Sequence, residues 1–451
     1  MEYKRYEKYR DSGVKWIGEI PEHWRVIKLK WLLKSLESGK REIDENNDFN
    51  NEVLSIGGEH IGWQGELILN NCRYISFEFY SSLRQGKIKE NDILLVKDGA
   101  TIGKCAFTSN NIPYPAAVNE HVFILRTLQN INPKFVFYLI QSDVGQKQIM
   151  LQIRGAAQPG LSSDFKSNLI LTLPPLNEQT AIANFLDQKT AEIDSLIADK
   201  EKMIQLLQEK RQAIISEAVT KGLNSNVRMK DSGVEWIGEI PEGWKITKIK
   251  YTTYVKGRIG WQGLRADEFI DEGPYLVTGT DFVNGEIFWE NCYHISDDRY
   301  NEAPEIHLKE GDLLITKDGT IGKTAIVKNK PEKATLNSGI FVTRPLNQIY
   351  ITKYMYWLLN SSIFNRYIDY VKTGSTISHL YQETFENFIY PLPEYDEQKA
   401  IIDYLDHKTA EIDSLISDIQ AQIAKLKEYR QSLIYEAVTG KIDVRDYNFS
   451  N

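Results

Sequence analysis

The chain repeats itself, and this duplication constrains its fold more than any other feature. The phrase "DSGVKWIGEIPEHW" at residues 11–24 returns as "DSGVEWIGEIPEGW" at residues 231–244, and "KTAEIDSLI" at residues 189–197 returns unchanged at residues 408–416. The stretches between these phrases differ almost everywhere. Repeats of this kind indicate one structural unit used twice. The sequence therefore predicts a tandem duplication in which the ends of each copy are alike and the middles have diverged.

Composition narrows the class of protein. Of 451 residues, 42% are hydrophobic and 26% are charged, as in ordinary globular proteins. There is no apolar run that suits a membrane span or a secretory signal, and the three cysteines form neither a metal-binding spacing nor a disulfide framework. These features predict a cytoplasmic protein with buried structural thiols at Cys72 and Cys292. The net charge of −8 lies mostly in residues 173–223 and 392–442, so the remainder is free to present a basic face.

The two shared C-terminal stretches predict long helices. Asn177 and Asp396, which lie just after prolines, are the expected N-caps, and Gly222 and Gly440 are the expected stop signals. Apolar residues spaced alternately by four and three are typical of a coiled-coil seam. The seam residues are Ile193, Ile197, Ile204, Leu207 and Ile214 in the first stretch and Ile412, Ile416, Ile419, Ile423, Leu426 and Leu433 in the second. The alternative is a helix that packs along its own globular domain. It explains the pattern less well, because such a helix would run roughly 65 Å, which is longer than a domain of about 170 residues covers.

The middles, residues 30–172 and 250–391, predict α+β lobes with a mixed or barrel-like sheet. Runs such as "DILLV" and "GIFVTR" are typical of strands, and "NPKFVFYLIQSDVGQKQI" and "TKYMYWLLNSSIFNRYI" each predict one helix. The predicted domains are residues 1–172, a first lobe with its repeat phrase; 173–223, a central helix; 224–391, a second lobe with its repeat phrase; and 392–451, a C-terminal helix and tail.

Motif searches give no catalytic set. The "GKT" at residues 322–324 lacks the glycine that a Walker A sequence needs five residues before its GK, because that position is Lys317. The sequence contains no HExxH and no GxSxG, and its histidines do not cluster in metal-ligand spacing. Binding, and not catalysis, is the predicted role.

Two loops in each copy carry the candidate binding residues. Lys97 and Lys104, with Lys317 and Lys323 at the matching positions, flank a glycine-containing turn whose N–H and ammonium groups suit a phosphate diester. The second loops, "RGAAQPG" from residue 154 and "KTGSTISH" from residue 372, carry Arg154, Gln158, Lys372, Ser375 and His379. Arginine and glutamine make bidentate contacts with guanine and adenine edges. The alternative is a plain hairpin with solvated lysines, beside loops whose polar residues only face solvent.

Written twice, the "WIGEIPxxW" phrase, the variable lobe, the "LPxxxEQ…KTAEIDSLI" signature and the long helix together resemble the specificity subunit of type I restriction–modification systems. The resemblance covers nearly the whole chain. It implies an α+β protein with two repeated α/β target recognition domains, joined by two long antiparallel coiled-coil helices in a pseudo-twofold arrangement. Arg211 and Arg430, as polar residues in the seam, are expected to fix the register of that pairing.

The resemblance also implies function. It predicts a non-catalytic chain that binds double-stranded DNA at a bipartite, asymmetric site and docks two modification (methyltransferase) subunits and ATP-dependent restriction subunits. S-adenosylmethionine, ATP and Mg²⁺ would belong to those partners, and this chain would need no cofactor or metal. Two other classes stay open here: a coiled-coil scaffold that does not touch DNA, and a stand-alone nucleic-acid enzyme. Trp16, Trp24, Trp236 and Trp244 are expected to pack where lobe meets helix in preference to stacking on bases.

Overall fold

Two units make up the chain, and each contains pieces of both shared helical stretches. The computed structural model describes residues 3–42, 52–109, 112–155, 159–258, 264, 266–371 and 379–447. Unit 1 consists of Met1–Lys200 with Ala421–Asn451, and unit 2 consists of Glu201–Gln420. The last part of the chain therefore folds with the first lobe.

Short strands and helices build the first lobe and lead into a long helix. In chain order they are β1 (Tyr9–Asp11), β2 (Glu19–Pro21), β3 (Arg25–Lys28), β4 (Leu33–Ser38), β5 (Val53–Ile56), β6 (Arg73–Ile75), α1 (Phe77–Ser82), β7 (Ile93–Val96), β8 (Cys105–Phe107), β9 (Ala116–Val118), β10 (Val122–Thr127), α2 (Pro133–Gln141), α3 (Asp143–Leu151), β11 (Ile153–Arg154), β12 (Gly160–Leu161), β13 (Ile170–Leu173) and α4 (Leu176–Lys221).

The second lobe follows the same plan. Its elements are β14 (Met229–Asp231), β15 (Glu239–Pro241), β16 (Lys245–Lys248), α5 (Ile249–Thr252), β17 (Thr253–Gly257), β18 (Ile270–Val277), β19 (Phe282–Val283), β20 (Glu286–Ile287), β21 (Tyr293–His294), α6 (Asp297–Asn301), β22 (Leu313–Thr316), β23 (Thr324–Ile326), β24 (Ala334–Leu336), β25 (Ile340–Pro345), α7 (Thr352–Leu359), α8 (Ser362–Val371), α9 (Gln382–Glu386), β26 (Ile389–Leu392) and α10 (Tyr395–Val438).

Each lobe has one larger and one smaller sheet. The larger sheets have strand orders β4-β10-β7-β8 and β17-β25-β22-β23-β20-β19, and the smaller ones β6-β5-β9 and β21-β18-β24. Most neighbours are antiparallel, but β5 and β9 run parallel, as do β18 and β24 and also β20 and β23. All four residues of β7 and of β22 are buried, because side chains pack on both faces of these central strands. Apart from the larger sheet of the first lobe, whose paired strands all run antiparallel, these sheets are mixed, as predicted.

The helical segment after the sheet differs from the prediction in both lobes. One helix was predicted in each, whereas α2 and α3 are separate helices, and so are α7 and α8. The break falls at Ser142, whose hydroxyl donates to Leu139 O at 2.7 Å and accepts from Gly145 N. Ser361 makes the same kind of break, donating to Leu358 O at 2.6 Å. The single-helix prediction is wrong because a serine ends the first helix and caps the next one.

The ends of the long helices agree with the prediction better than their starts. α4 begins at Leu176 and α10 at Tyr395, so Asn177 and Asp396 lie inside the first turn and are not N-caps. Helix termini shift easily by a residue, since the capping geometry and not the proline decides them. Gly222 and Gly440, just beyond the helix ends, have φ of 71° and 72°, a conformation that favours glycine. Both predicted stop signals are confirmed.

The long helices pair antiparallel within each unit. In unit 1, Asp194 of α4 contacts Arg430 of α10, and Lys200 contacts Gln422, so a step forward along α4 is a step backward along α10. In unit 2, Arg211 of α4 contacts Asp413 of α10 at 3.0 Å. Every predicted seam residue is buried or half-buried. The two long helices and the mixed lobes confirm the predicted fold class.

The repeated tryptophan phrase joins lobe and helix. Trp24 is fully buried and donates from Nε1 to Glu178 Oε2 of α4 at 2.9 Å, and Trp244 donates to Glu397 Oε2 of α10 at 2.8 Å. Trp236 is half-buried and donates to the Ile389 carbonyl at 3.3 Å. Trp24 and Trp244 pack against the long helices as expected, whereas Trp236 packs on Tyr367 and Tyr370 of the second lobe and Trp16 is exposed. Within the described ranges, no helix has the apolar length that crossing a bilayer requires.

Candidate functional site

The two candidate loops of unit 1 lie against each other. We call residues 97–104 the lysine loop and residues 154–161 the second loop. Leu161 N donates to Lys97 O at 2.7 Å, and Asp98 pairs with Gly160 in an isolated antiparallel bridge. A Cβ on Gly160 would lie 2.9 Å from the Asp98 carboxylate, so glycine allows this close approach. The sequence identified both loops as candidate binding segments, but it did not predict the contact between them.

Unit 2 repeats this contact with different residues. Its lysine loop is residues 317–323 and its second loop is residues 372–380. Leu380 N donates to Lys317 O, again at 2.7 Å, and Asp318 forms the matching bridge with His379. His379 Nδ1 also contacts Asp318 Oδ1. The same backbone arrangement therefore presents a glycine in unit 1 and an imidazole in unit 2.

Glycines shape each lysine loop. Gly99 and Gly103 have φ of 87° and 97°, and Gly319 and Gly322 have φ of 67° and 88°. L-residues rarely adopt these angles, so glycine is required at such turns. Gly99 and Gly319 are also exposed, and a Cβ on either would contact nothing within 4 Å. The tips of both loops are therefore open to the approach of a ligand.

Aromatic rings lie beside all four lysines of the two lysine loops. The Nζ of Lys97 lies 5.1 Å from the centre of the Phe123 ring, and that of Lys317 lies 4.9 Å from the Phe341 ring. The other pairs are Lys104 over Trp63 and Lys323 over Phe282. Burial lowers the pKa of Lys317, while the neighbouring Asp318 acts in the opposite direction. Such cation–π contacts position an ammonium group without neutralising it.

Acidic and imidazole groups complete the site of unit 1. Asp98 lies 3.6 Å from Lys97 Nζ and 3.5 Å from His121 Nδ1. His121 also fixes the loop through its backbone, because its carbonyl accepts from Lys97 N at 2.9 Å. The surface thus combines ammonium donors with a carboxylate acceptor. Sequence reasoning missed Asp98, Asp318 and His121; the repeated "KDG" at residues 97 and 317 was the available signal for the two aspartates.

The remaining candidates divide between described and undescribed parts of the chain. Arg154 is exposed at the end of β11, where it stands opposite Gly160 of β12. Gln158, Lys372 and Ser375 lie outside the described residues. The structure therefore brings together Lys97 and the edges of the second loop in unit 1, and Lys317 and His379 in unit 2.

An ion pair between a buried aspartate and a half-buried arginine supports the sheet beneath each site. Arg126 Nε donates to Asp92 Oδ1 at 2.7 Å, and Arg344 Nε donates to Asp312 Oδ1 at 2.7 Å. Burial raises the pKa of Asp92, and Arg126 counteracts that rise. These residues lie at the start of β7 and β22 or on the neighbouring strand, so they fix the strands that lead into the lysine loops. Among the described residues there is no cluster of His, Cys, Asp or Glu side chains suited to a metal ion.

Comparison with known proteins identifies the family. Residues 21–206 and 241–425 both match the family described as "Type I restriction modification DNA specificity domain". The chain is 24% identical over 461 aligned positions to the type I restriction enzyme MjaVIII specificity subunit of Methanocaldococcus jannaschii, covering 100% of this chain and 99% of that one. It is also 24% identical to the type I restriction enzyme EcoBI specificity subunit of Escherichia coli, over 73% of this chain and 70% of that one.

Solved structures show the same fold. A chain from a study titled "Structural basis underlying complex assembly and conformational transition of the type I R-M system" has a TM-score of 0.70 and 17% identity, covering 93% of this chain and 98% of that one. The HsdS subunit from Thermoanaerobacter tengcongensis has a TM-score of 0.50 and 18% identity, covering 94% and 98%. With the family match spanning both copies of the repeat, the chain belongs to the specificity subunits of type I restriction–modification systems.

Proposed function

We propose that this chain reads a bipartite, asymmetric DNA site, one half-site with each lobe. The observation that carries the proposal is the repeated contact between lysine loop and second loop. In both lobes a hydrogen bond of 2.7 Å joins the two loops at the same place, from Leu161 N to Lys97 O and from Leu380 N to Lys317 O. A shared frame with different side chains is what two readers of unlike half-sites require.

The chemistry of the loops suits DNA. The lysines, held over rings, present positive charge to phosphates, which gives affinity without sequence preference. The side chains of the second loops supply groups that distinguish bases, above all Arg154 and Gln158, which suit guanine and adenine edges. In unit 1, Asp98 adds an acceptor of the kind that contacts the cytosine amino group.

Family membership makes the chain a non-catalytic recognition subunit, so chemistry must come from partners. We infer that two modification subunits, and restriction subunits with them, dock on the helical frame formed by α4 and α10. S-adenosylmethionine, ATP and Mg²⁺ are assigned to those partners and not to this chain. The duplication supports two docking positions, because both long helices carry the identical segment "KTAEIDSLI".

The proposal is tested by methylome sequencing of a host that contains the modification subunit. With this chain present, N6-methyladenine is expected at one two-part motif, and deleting its gene should remove that methylation. A matched variant, Arg154→Ala with Gln158→Ala, should relax or abolish one half of the motif only. Methylation that persists unchanged after deletion would refute the DNA-reading role, and a gel shift with partners present that shows no DNA binding would favour a protein scaffold.

A further inference from the structure

A groove lies beside the last turn of α4 in unit 2. Its volume is about 490 Å³, and its walls include Glu217, Met229, Glu239 and the ring of Tyr404 from α10. Tyr404 is 37% exposed although it lies within the shared helical signature. A ligand that fills a groove beside an exposed aromatic ring buries more of the apolar area of that ring. The role in DNA reading makes no use of this feature.

The corresponding ring in unit 1 is covered by the chain's own termini. Phe185 of α4 matches Tyr404 in the repeat, and it is 0% exposed. Tyr3 packs edge-on against it at 5.4 Å between ring centres, and Tyr447 of the C-terminal tail does so at 4.8 Å. In unit 1, then, Tyr3 and Tyr447 cover the ring whose counterpart is open among the described residues of unit 2.

Neighbouring residues show the same difference in exposure between the two units. Lys189 lies 5.5 Å from the Tyr447 ring, and its side chain is 19% exposed, whereas the matching Lys408 is 41% exposed. Glu178 is buried, but the matching Glu397 is only half-buried. These are identical residues of one repeated signature, so the sequence of the helix does not explain the difference. The terminal segments that cover the helix in unit 1 explain the lower exposure there.

The connectivity of the chain accounts for the missing cover. In unit 1 two separate segments approach the helix end, residues 3–8 from the N-terminus and residues 440–447 from the C-terminus. Asp443 N donates to Lys4 O at 2.7 Å and links them. In unit 2 a single linker from Gly222 to Arg228 passes the same place, and it contains no aromatic residue. This single linker therefore does not provide the two separate segments that cover the helix end in unit 1.

Charge distinguishes the two helix ends as well. Unit 1 also has a groove beside its helix end, but its wall sets the cations Lys4, Arg5 and Lys441 against the carboxylate of Glu436. The groove of unit 2 has Glu217 and Glu239 in its wall, against the single cation Lys221. A basic segment is therefore attracted to the groove of unit 2 and repelled from that of unit 1.

We propose that the groove of unit 2 docks a segment of a partner protein that carries an aromatic residue with a basic residue close to it in sequence. The C-terminal tail shows the geometry. There Tyr447 covers the helix ring, and Arg445, which pairs with Asp443 of the same tail at 2.6 Å, lies 4.9 Å from the Tyr6 ring with Glu178 nearby. A docked segment places its ring on Tyr404 and its cation among Glu217, Glu239 and Glu397. The two ends of this duplicated chain are thus unequal, since one is covered by the chain itself.

A peptide with the sequence of the tail, "KIDVRDYNFSN" from residues 441–451, is a suitable probe. Fluorescence anisotropy with the full-length chain should show saturable binding at one site, because the tethered tail already occupies unit 1 at a high effective concentration. Tyr404→Ala and Glu217→Lys should each weaken binding by about tenfold, as should Tyr447→Ala or Arg445→Glu in the peptide. Tyr395→Ala is the matched control, since Tyr395 is an exposed tyrosine of the same helix outside the groove, and it should leave binding unchanged.

Three results would overturn the proposal. The first is the absence of saturable binding. The second is equal affinity of the wild-type chain and the Tyr404→Ala chain, with circular dichroism showing that both are folded. The third is a concentration-dependent dimer that Tyr404→Ala dissociates, because the occupant would then be a second copy of this chain. None of these results depends on DNA binding or on methylation, so the outcome is separate from that of the DNA-reading proposal.

Discussion

Arg430 and Asp194 form an ion pair across the antiparallel helices of unit 1. The guanidinium donates from Nε to Asp194 Oδ1 at 2.9 Å and from Nη2 to Gln64 O at 2.9 Å, and its side chain is 4% exposed. One residue thus connects both long helices and the first lobe. The matching residue in unit 2, Arg211, is 30% exposed, pairs with the exposed Asp413 and lies 5.9 Å from the Trp357 ring. The two repeats use the same arginine position with unequal burial.

This difference predicts unequal costs of mutation. Asp194→Ala leaves a buried guanidinium without its counter-ion and should lower the free energy of unfolding by about 2–4 kcal/mol. Asp413→Ala removes an exposed pair and should cost less than about 1 kcal/mol. Urea denaturation followed by circular dichroism compares the two variants. Equal costs would show that the burial of Arg430 contributes nothing to stability.

The acidic residue of the "EQ" signature makes a second comparison possible. Glu178 accepts from Trp24 Nε1 at 2.9 Å and from Tyr6 OH at 3.1 Å, whereas Glu397 accepts from Trp244 Nε1. Glu178→Ala leaves two buried donors unsatisfied and should cost about 2–4 kcal/mol, against about 1–2 kcal/mol for Glu397→Ala. Thermal unfolding of both variants measures which substitution lowers the stability more. A larger loss for Glu397→Ala would contradict it.

Much of this architecture could be predicted from sequence, because it depends on periodic or repeated signals. The seam spacing and the positions of Gly222 and Gly440 predicted the long helices and their ends. The breaks at Ser142 and Ser361 were missed, because an apolar pattern on both sides of a serine fits one helix as well as two. The starts of α4 and α10 were placed two residues late for a similar reason, since backbone geometry decides a cap.

The candidate site could be predicted only in part. The glycines and lysines of the "KDG" loops marked the right segments, since turns need special residues. The contact between Asp98 and Gly160, however, joins residues far apart in sequence, and no local pattern encodes it. The same holds for the cover of Phe185, which requires both chain termini to reach one helix. Long-range packing of this kind becomes visible only in three dimensions.

Cysteine reactivity should follow burial. Burial raises the pKa of the Cys105 thiol to about 12, with Arg430 partly opposing the rise, and burial also raises the pKa of Cys292. Cys72, which was predicted to be buried like Cys292, is only half-buried, so that prediction is wrong for Cys72. Iodoacetamide at pH 8 should therefore alkylate Cys72 first, and the other two thiols only after unfolding in urea. Mass spectrometry of the labelled chain gives the order. Rapid labelling of Cys105 in the native chain would contradict its burial.

The lysine loops should set the salt dependence of DNA binding. Lys97→Ala or Lys323→Ala should weaken binding to all sequences about equally and reduce the slope of log affinity against log salt by roughly one, since each removes about one phosphate contact. Lys210→Ala, on the exposed surface of α4, is the control and should leave the slope unchanged. Titrations at several salt concentrations measure this. A changed methylation motif with the slope unaltered would make these lysines base readers.

The last prediction concerns exchange of a whole lobe. Chain entry and exit lie side by side at the base of each lobe, because β3 pairs with β13 and β16 pairs with β26. Arg25 stands opposite Leu173, and Lys245 stands opposite Leu392. A lobe cut at such a pair keeps its own closing strands and leaves the helices untouched. A relative's lobe should therefore replace residues 245–392 without disturbing assembly with the modification subunit.

Replacing the second lobe should change one half of the methylated sequence and leave the other half unaltered. The reciprocal exchange of residues 25–173 is the matched control and should change only the opposite half. The strand pairs β3–β13 and β16–β26 have the same register, so both chimaeras should be about equally stable. If only one chimaera fails to fold, the position of the cut is therefore not the cause. Methylome sequencing of both chimaeras measures the outcome. If a single exchange alters both halves of the site, the lobes do not read independently, and the duplicated frame must serve another purpose.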